Sequence, residues 1–304
     1  RQSGINKRII LLSGFHNQEQ LNALRAYEIE TVIHCLSQVE LLEHYRGLKP
    51  KITIWIKIDT GMNRLGFQSH QFAEIYQRLI ACPIVNAQLH LMTHFASADQ
   101  KQNPQTQIQL AQFERIVQQY SEPLSLANSA AILAWNATHK NWVRPGIMLY
   151  GISPFAEHIG QELGLEPVMN LYSQLIAIKM IAAGETVGYN QTWTCERPSR
   201  IGVVAIGYAD GYPRYAPSGT PVLINQQRCP LVGRVSMDML TVDLTEYPEA
   251  KVGDKVLLWG RELPIEPLAK AAQTIPYTLV CGVTQRVTRV YLKDKTCLNS
   301  DSFL

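Results

Sequence analysis

The sequence lacks the features that mark several large classes of protein. It contains no C-x-x-C pair, no run of about 18 apolar residues and no cluster of lysine and arginine. It also contains no G-x-G-x-x-G and no G-x-S-x-G motif. The first three absences argue against a disulfide framework, a membrane span and a nucleic-acid-binding surface, respectively. The lack of G-x-G-x-x-G argues against a dinucleotide-binding fold, and the lack of G-x-S-x-G argues against a serine hydrolase.

What is present describes an ordinary globular chain with a large core. Of the 304 residues, 46% are hydrophobic and 17% charged, and the net charge is only +3. The chain opens with "RQSGINKR", which looks like the tail of an element that begins elsewhere. The six cysteines are scattered, so we predict reduced thiols in a cytoplasmic protein, at positions 35, 82, 195, 229, 281 and 297.

The first half of the chain alternates strand-like runs with helix-patterned segments. Apolar strands separated by amphipathic helices are typical of a parallel sheet covered on both faces. The pattern predicts a βα (TIM-type) barrel, and six strands where a closed barrel has eight suggest that it is incomplete at its N-terminus. The predicted strands are Ile9–Leu12, Thr31–His34, Ile52–Asp59, Ala87–His94, Leu124–Asn128 and Trp142–Tyr150.

The second half changes character. Short apolar runs such as "YSQLIAIKMI" and "KVLLWG" are broken by Gly, Pro and Asn/Gln turns, and one helix is predicted over Ile265–Gln273. We therefore predict a barrel domain over residues 1–155, followed by a mostly antiparallel β domain over 156–304.

In a βα barrel, functional side chains gather at the carboxyl ends of the strands. Polar and small residues stand at those ends in register, and the charged ones among them favour an anion-binding mouth. For Lys57, a Schiff base with a carbonyl cofactor and an ion pair both remain open. The residues at these ends are Lys57, Asp59, Arg64, Thr93, His94, Asn128, Ser129, Arg144, Gly146 and Ile147.

His90 and His94 form an H-x-x-x-H pattern that, on a helix, would place two imidazoles on one face for zinc. The surrounding "QLHLMTHF" indicates a strand, where four residues span roughly 13 Å. We therefore predict no metal site.

Seven strings, in order and spacing, resemble the alanine racemases, the fold-type III pyridoxal-phosphate enzymes. "APSGTPVLIN" and "LLWG" resemble the Gram-negative type in particular. The seven strings are "KIDTGMNRLGF", "THFASAD", "LANSAA", "WVRPGIMLYG", "VGYNQTW", "GVVAIGYADGYPR" and "VGRVSMDM".

The resemblance implies a pyridoxal-phosphate enzyme that interconverts L- and D-alanine in a homodimer with shared active sites. Tyr189 matches the catalytic tyrosine that reaches into the partner's site. Arg144 matches the arginine facing the pyridine nitrogen, with His94 coupled to it. Ser129, Gly146 and Ile147 match residues that contact the cofactor phosphate, and Asn128 lies beside them. Arg64 and the backbone of Met237 match the group that holds the substrate carboxylate. Tyr208 and Asp238 match residues that line the substrate entry.

Two positions depart from the family pattern. The family's cofactor lysine lies in a K-A-N-A-Y-G-H-G-like motif on the first barrel strand, and this sequence contains no such motif. We expect the chain to align after the family's second strand and helix. Where some members carry a phosphate-contacting tyrosine, this chain has Gln285.

Lys57 matches a family lysine that is often carbamylated, so it is expected to be carbamylated or paired rather than a Schiff base.

The resemblance implies an alanine racemase, or a large fragment of one, that supplies D-alanine for peptidoglycan; a role in L-alanine catabolism stays open. The alternatives are a racemase of broader specificity, a decarboxylase on the same fold, and a non-catalytic pyridoxal-phosphate-binding remnant.

Overall fold

The computed structural model describes residues 1–47 and 50–292. The chain divides into two compact units, Arg1–Leu149 and Tyr150–Leu304. The five cysteines within the described ranges are free thiols, whereas Cys297 lies outside them. Within the same ranges, no helix is both long and apolar enough to cross a membrane.

The first unit is built on a six-stranded parallel sheet flanked by helices. Its strands are β1 (Ile10–Leu11), β2 (Glu30–Ile33), β3 (Ile54–Lys57), β4 (His90–Met92), β5 (Leu124–Asn128) and β6 (Trp142–Arg144). Its helices are α1 (Gln18–Ala26), α2 (Leu36–His44), α3 (Ser69–Ala81), α4 (Gln105–Val117) and α5 (Ser129–Ala134), with 3₁₀ turns at Asn136–Thr138 and Ile147–Tyr150.

The strand order is what separates a barrel-type sheet from a doubly wound one. The six strands lie side by side in chain order, and every neighbouring pair is parallel. A doubly wound sheet would reverse its order at a switch point. All four residues of β3 are buried, as expected for a strand covered on both faces. The predicted βα barrel-type architecture is confirmed.

The sixth strand is shorter than the sequence suggested. It ends at Arg144, and the residues expected to extend it to Tyr150 form the 3₁₀ turn Ile147–Tyr150 instead. Pro145 follows Arg144 directly and has no N–H to donate to a ladder, so the strand cannot continue. The apolar run "IMLY" was mistaken for strand.

The second unit is mostly antiparallel β structure, as predicted. One six-stranded sheet has the order β12-β11-β14-β7-β10-β13, and a separate hairpin pairs β8 with β9. Its strands are β7 (Leu171–Ile181), β8 (Thr186–Val187), β9 (Trp193–Thr194), β10 (Ser199–Val204), β11 (Pro221–Ile224), β12 (Gln227–Pro230), β13 (Leu240–Asp243) and β14 (Lys255–Trp259). Its helices are α6 (Ile265–Ala271), α7 (Pro276–Gly282) and the 3₁₀ turns Gly160–Leu163, Tyr189–Gln191 and Tyr208–Asp210.

Helix α7 and the β8–β9 hairpin were not predicted. The helix is only seven residues long and starts with Pro276 at its first position, which is favourable for initiation but easily taken for a turn. The hairpin strands have two residues each, too few to show an alternating pattern.

A polar cluster lies along the edge of the parallel sheet where its strands begin. The guanidinium of Arg8 donates to both carboxylate oxygens of Glu30, and Trp55 Nε1 donates to Glu30 Oε2 at 2.8 Å. The same guanidinium lies 4.6 Å above the Trp142 ring, and the Trp55 and His90 rings stack at 4.2 Å. Burial alone would raise the pKa of Glu30, but the hydrogen bonds from Arg8 and Trp55 outweigh it and lower that pKa.

Replacing Glu30 by glutamine should therefore destabilise the protein. Glu30→Gln leaves Arg8 without its counter-charge, and we expect a loss of about 1–3 kcal/mol in the free energy of unfolding at pH 7. Because the folded pKa is lowered, the ionised carboxyl stabilises the fold above the ordinary pKa, and this is lost as pH falls through the folded value. Urea unfolding at pH 7 and at pH 3 should thus show a smaller difference between variant and parent at pH 3.

Glu28→Gln is the matched control, since this carboxylate is exposed and lies two residues earlier. It should change the free energy of unfolding by no more than about 0.5 kcal/mol. Equal unfolding midpoints for Glu30→Gln and the parent at pH 7 would contradict the prediction.

Candidate active site

The carboxyl ends of β3 to β6 carry the side chains that the sequence singled out in the first unit. Lys57 is the last residue of β3, and Arg144 is the last residue of β6. Asn128 ends β5, and His94 follows β4 by two residues. Because neighbouring strands are parallel, these ends lie along one edge of the sheet.

The loop "KIDTGMNRLGF" closes back on its own strand. Asp59 Oδ1 accepts hydrogen bonds from the three successive amides of residues 61–63 at 3.0 to 3.1 Å. Lys57 O accepts from Phe67 N, and Phe67 O accepts from Asp59 N, both at 2.9 Å. Gly66 has φ +125°, and a Cβ there would lie 2.8 Å from Asp59 N, so only glycine fits. The closed loop leaves Arg64 exposed at its tip.

Lys57 is buried, with 7% of its surface exposed, and its side-chain amine forms no hydrogen bond or ion pair with any of the described residues. Burial lowers its pKa, and the positive charges of Arg64 and Arg144 lower it further, against a smaller opposite effect of Asp59. Lys57, Arg64 and Arg144 therefore lie at the same edge of the sheet, and no carboxylate in the described part of the chain pairs with the amine of Lys57. Such an arrangement attracts an anion.

Arg144 is held in place by three hydrogen bonds, two to β5 and one to the residue that follows β4. Its Nη1 donates to Ser125 Oγ at 2.6 Å, and its Nη2 donates to Thr93 O at 2.6 Å and Leu126 O at 3.1 Å. Burial lowers the pKa of Arg144 to about 10, which still leaves the guanidinium charged at neutral pH. No described residue accepts a hydrogen bond from its Nε, so this donor is available to a ligand.

His94 is neutral at physiological pH. Its Nδ1 lies 3.5 Å from Arg144 Nη2, and a guanidinium can only donate, so Nδ1 is the acceptor and Nε2 carries the proton. Burial, followed by the charge of Arg144, lowers the pKa of His94 to about 4. Lys57 and Arg64 act in the same direction.

Small groups beside Arg144 leave room for an anion. Gly146 N donates to the buried Ser129 Oγ at 2.8 Å, which leaves the hydroxyl hydrogen of Ser129 free to donate elsewhere. A Cβ at Gly146 would meet only Ser129 Oγ, at 3.7 Å. Ile147 is buried and begins the adjoining 3₁₀ turn. Asn128 caps α5 by accepting a hydrogen bond from Ala131 N at 3.0 Å.

In the second unit, Tyr189 stands on the turn between β8 and β9. Its side chain is 63% exposed, and no described residue bonds to its hydroxyl. Gly188 precedes it at φ +81°, where a Cβ would approach Arg234 N to 3.2 Å. Asn190 follows at φ +59°, in the left-handed region that asparagine tolerates. The turn thus presents the phenol outward on a fixed backbone.

Tyr208, Met237 and Asp238 belong to two loops of the second unit that bond to each other. Tyr208 N donates to Ser236 O at 3.1 Å, and the next amide, of residue 209, donates to Met237 O at 2.9 Å. Arg286 joins the same group by donating to Asp238 Oδ1 at 2.6 Å. The structure therefore brings these three predicted residues together.

Sequence reasoning missed several residues that hold the site. Thr60, Ser125 and Gln109 are buried polar side chains that bond to the predicted site residues or to one another. Arg286 was missed although its neighbour Gln285 was noted. Thr60 lies inside the quoted loop motif, but Gln109 is on a helix, where strand ends give no signal.

The donor set decides which groups the first unit can hold. No cluster of three or more His, Cys, Asp or Glu side chains suited to a metal occurs among the residues that the structure describes. Arg144 Nε and the hydroxyl of Ser129 beside Gly146 are instead hydrogen-bond donors that could hold an aromatic ring nitrogen and a phosphate. No described residue corresponds to the Schiff-base lysine of a K-A-N-A-Y-G-H-G-like motif.

Two family models match almost the entire chain. Residues 1–154 match "Alanine racemase, N-terminal domain", and residues 168–291 match "Alanine racemase, C-terminal domain".

Individual relatives agree with the family models. The alanine racemase of Shewanella amazonensis is 52% identical over 287 residues, covering 94% of this chain and 79% of the relative. The biosynthetic alanine racemase of Pseudomonas aeruginosa superposes with a TM-score of 0.92 at 46% identity, over 96% of this chain and 81% of that one. The alanine racemase of Bartonella henselae, solved with covalently bound pyridoxal phosphate, has a TM-score of 0.83 at 29% identity, over 94% and 79% of the two chains.

The pKa of His94 reports whether the side chain of Lys57 is charged, because a nearby positive charge lowers that pKa. In buffer free of carbon dioxide, Lys57→Met removes a positive charge and should raise the pKa of His94 from about 4 towards its ordinary value. Nuclear magnetic resonance of ring-labelled histidine measures this pKa.

Lys51→Met is the control, because Lys51 is exposed and stands before β3 rather than at its end. It should leave the titration of His94 unchanged. An unchanged or lowered pKa of His94 in Lys57→Met would rule out a charged ammonium at this position.

Proposed function

The chain belongs to the alanine racemase family, and we propose that it interconverts L- and D-alanine with pyridoxal phosphate as its cofactor. The observation that carries the proposal is the group of Lys57, Arg64 and Arg144 around a neutral His94. A cationic edge of this kind suits a ligand with a phosphate and a substrate with a carboxylate.

We propose cofactor-binding roles for five residues of the first unit. When bound, pyridoxal phosphate withdraws electrons from the α-carbon of the amino acid and so makes its α-hydrogen acidic. Arg144 would donate from Nε to the ring nitrogen, and because its pKa remains far above neutral it keeps its own proton. Ser129, Gly146 and Ile147 would contact the phosphate, with Asn128 beside them.

Racemisation removes the α-proton from one face and returns a proton to the other, so it needs two bases. We propose Tyr189 as one of them, because its phenol is exposed and has no partner among the described residues. The second base in the family is the lysine of the motif that this sequence does not contain. Arg64 and the backbone of Met237 would hold the substrate carboxylate, and Tyr208 and Asp238 would line the substrate access.

Lys57 is proposed to carry a carbamate in the working enzyme. Carbamate formation requires a neutral amine and carbon dioxide, and the lowered pKa of Lys57 makes the neutral amine more abundant. The resulting negative charge would give Arg64 the partner that the buried ammonium cannot supply. In carbamylated protein, Lys57→Met would lower the pKa of His94, the opposite sign from the uncarbamylated case.

We further propose a cytoplasmic homodimer in which Tyr189 of one protomer serves the site of the other, with D-alanine directed to peptidoglycan. We also propose that the domain boundary lies near residue 155, a few residues after the division between the two compact units. The family membership supports this proposal.

The activity is tested on the product of the whole gene, which includes any residues that precede Arg1, by adding pyridoxal phosphate and L-alanine and measuring D-alanine by chiral chromatography. We expect D-alanine to form, and to form faster than the D-isomers of serine, lysine or arginine from their L-forms. Equal rates across this panel would favour the broader racemase, and release of carbon dioxide the decarboxylase. Binding of pyridoxal phosphate without turnover of any amino acid would favour the non-catalytic remnant.

The role of Tyr189 is tested by Tyr189→Phe, with Tyr215→Phe as the exposed-tyrosine control. Because the two enantiomers have equal energy, kcat/KM must fall equally in both directions, by about 100-fold or more. The loss of one of the two bases should instead be visible in the exchange of the α-hydrogen for deuterium, which should be lost for one enantiomer and kept for the other. Unchanged exchange with both enantiomers would refute the role, and the control should behave as the parent.

A further inference from the structure

We propose that Gln109, in the middle of α4, is a positioning residue whose buried carboxamide holds His94 in place beside Arg144. The inference rests on the proposed function, because it assigns a role towards the same site. Nothing in the family match or in the sequence pattern points to this residue.

Gln109 is fully buried, and its carboxamide makes three hydrogen bonds. Its Nε2 donates to His94 O at 3.0 Å and to Thr60 Oγ1 at 3.2 Å. Its Oε1 accepts from Ala96 N at 2.9 Å. One side chain on a helix thereby connects the loop after β3 to the loop after β4.

The orientation of this carboxamide is fixed by its partners. His94 O is a backbone carbonyl and can only accept, whereas Ala96 N is a backbone amide and can only donate. A flipped amide would face both with the wrong group and lose both bonds. Gln109 therefore holds the backbone on either side of residue 95 in one arrangement.

A second chain of bonds reaches Arg144 from the same carboxamide. Thr60 Oγ1, which accepts from Gln109, lies 2.8 Å from Thr93 Oγ1, and both threonines are buried. Thr93 O in turn accepts from Arg144 Nη2 at 2.6 Å. Hydrogen bonds at residues 93, 94 and 96 thus restrain the segment that carries the His94 ring.

A purely space-filling role does not explain a glutamine at this position. Burying an amide costs free energy that only its hydrogen bonds offset, and an apolar side chain of similar size would fill the volume without that cost. Phe113, one turn further along α4, is fully buried and apolar, which is the ordinary solution on this helix face. At Gln109, the bonds themselves are what the site uses.

The consequence for His94 is electrostatic. Three cations act on its ring: Arg144 from β6, Lys57 from β3, and Arg64 from the loop after β3. Their effect, and the burial of the ring, depend on where the loop after β4 places it. Releasing that loop should expose the ring and move it away from Arg144.

The test compares Gln109→Met with the parent, using Gln107→Met as the matched control. Methionine has a similar length but makes none of the three bonds, and Gln107 is exposed on the same helix. In protein without cofactor, the pKa of His94 should rise by about one pH unit or more in Gln109→Met. Affinity for pyridoxal phosphate should fall about tenfold, and Gln107→Met should change neither value.

A merely structural role for Gln109 would lower the unfolding midpoint and leave the titration of His94 where it is. A folded Gln109→Met protein with the parent's His94 titration would overturn the inference. The titration of His94 is measured without substrate. A shifted pKa of His94 together with no turnover of alanine would therefore refute the proposed function and still support the positioning role of Gln109.

A second pair of variants keeps the inference testable if Gln109→Met does not fold. Thr60→Val removes the hydroxyl that connects Gln109 to Thr93, whereas Thr60→Ser retains it. We expect a smaller rise in the pKa of His94 for Thr60→Val and none for Thr60→Ser. Identical His94 titrations in both Thr60 variants would overturn the inference.

Discussion

The guanidinium of Arg144 joins three strands of the parallel sheet at the place where they end. It donates to a carbonyl that follows β4, to a carbonyl and a hydroxyl of β5, and it belongs itself to the end of β6. These three bonds engage both terminal nitrogens and so fix the orientation of the side chain, while the Nε hydrogen makes no bond to any described residue. Burial is the main cause of the lowered pKa of both His94 and Lys57, and the fixed charge of Arg144 lowers both further.

Around that charge, the loops are rigid because the backbone is satisfied locally. Asp59 accepts three successive amides, and Gly66 closes the loop with a conformation that no other residue adopts easily. In the second unit, the turn that carries Tyr189 uses Gly188 and Asn190 in the same way. In both units the side chain proposed to react with the substrate or to bind it is exposed while its backbone is fixed, which favours precise binding without burying that side chain.

The sequence was sufficient for the architecture and for part of the site. Strand–helix alternation predicted the parallel sheet, and Lys57 and Arg144 were found because polar residues that end buried strands are conspicuous. The end of β6 was misplaced, because "IMLY" after Pro145 has the composition of a strand and only the missing N–H stops it. Tyr189, Met237 and Asp238 were identified by resemblance alone, since exposed turn residues carry no periodic signal. Gln109 could not be found, because a glutamine in an amphipathic helix is usually solvated, and only tertiary contacts show that this one is buried.

As long as Lys57 is not carbamylated, the isolated burial of its amine has a thermodynamic consequence for ligand affinity. An anion bound beside this amine favours its protonated form, so binding raises the lysine's affinity for a proton. Binding and proton uptake are then linked equilibria: the complex holds more hydrogen ions than its separated components over the range in which the free amine titrates. Within that range the site takes up an anion together with part of a proton, and its occupancy grows as the surroundings become more acidic.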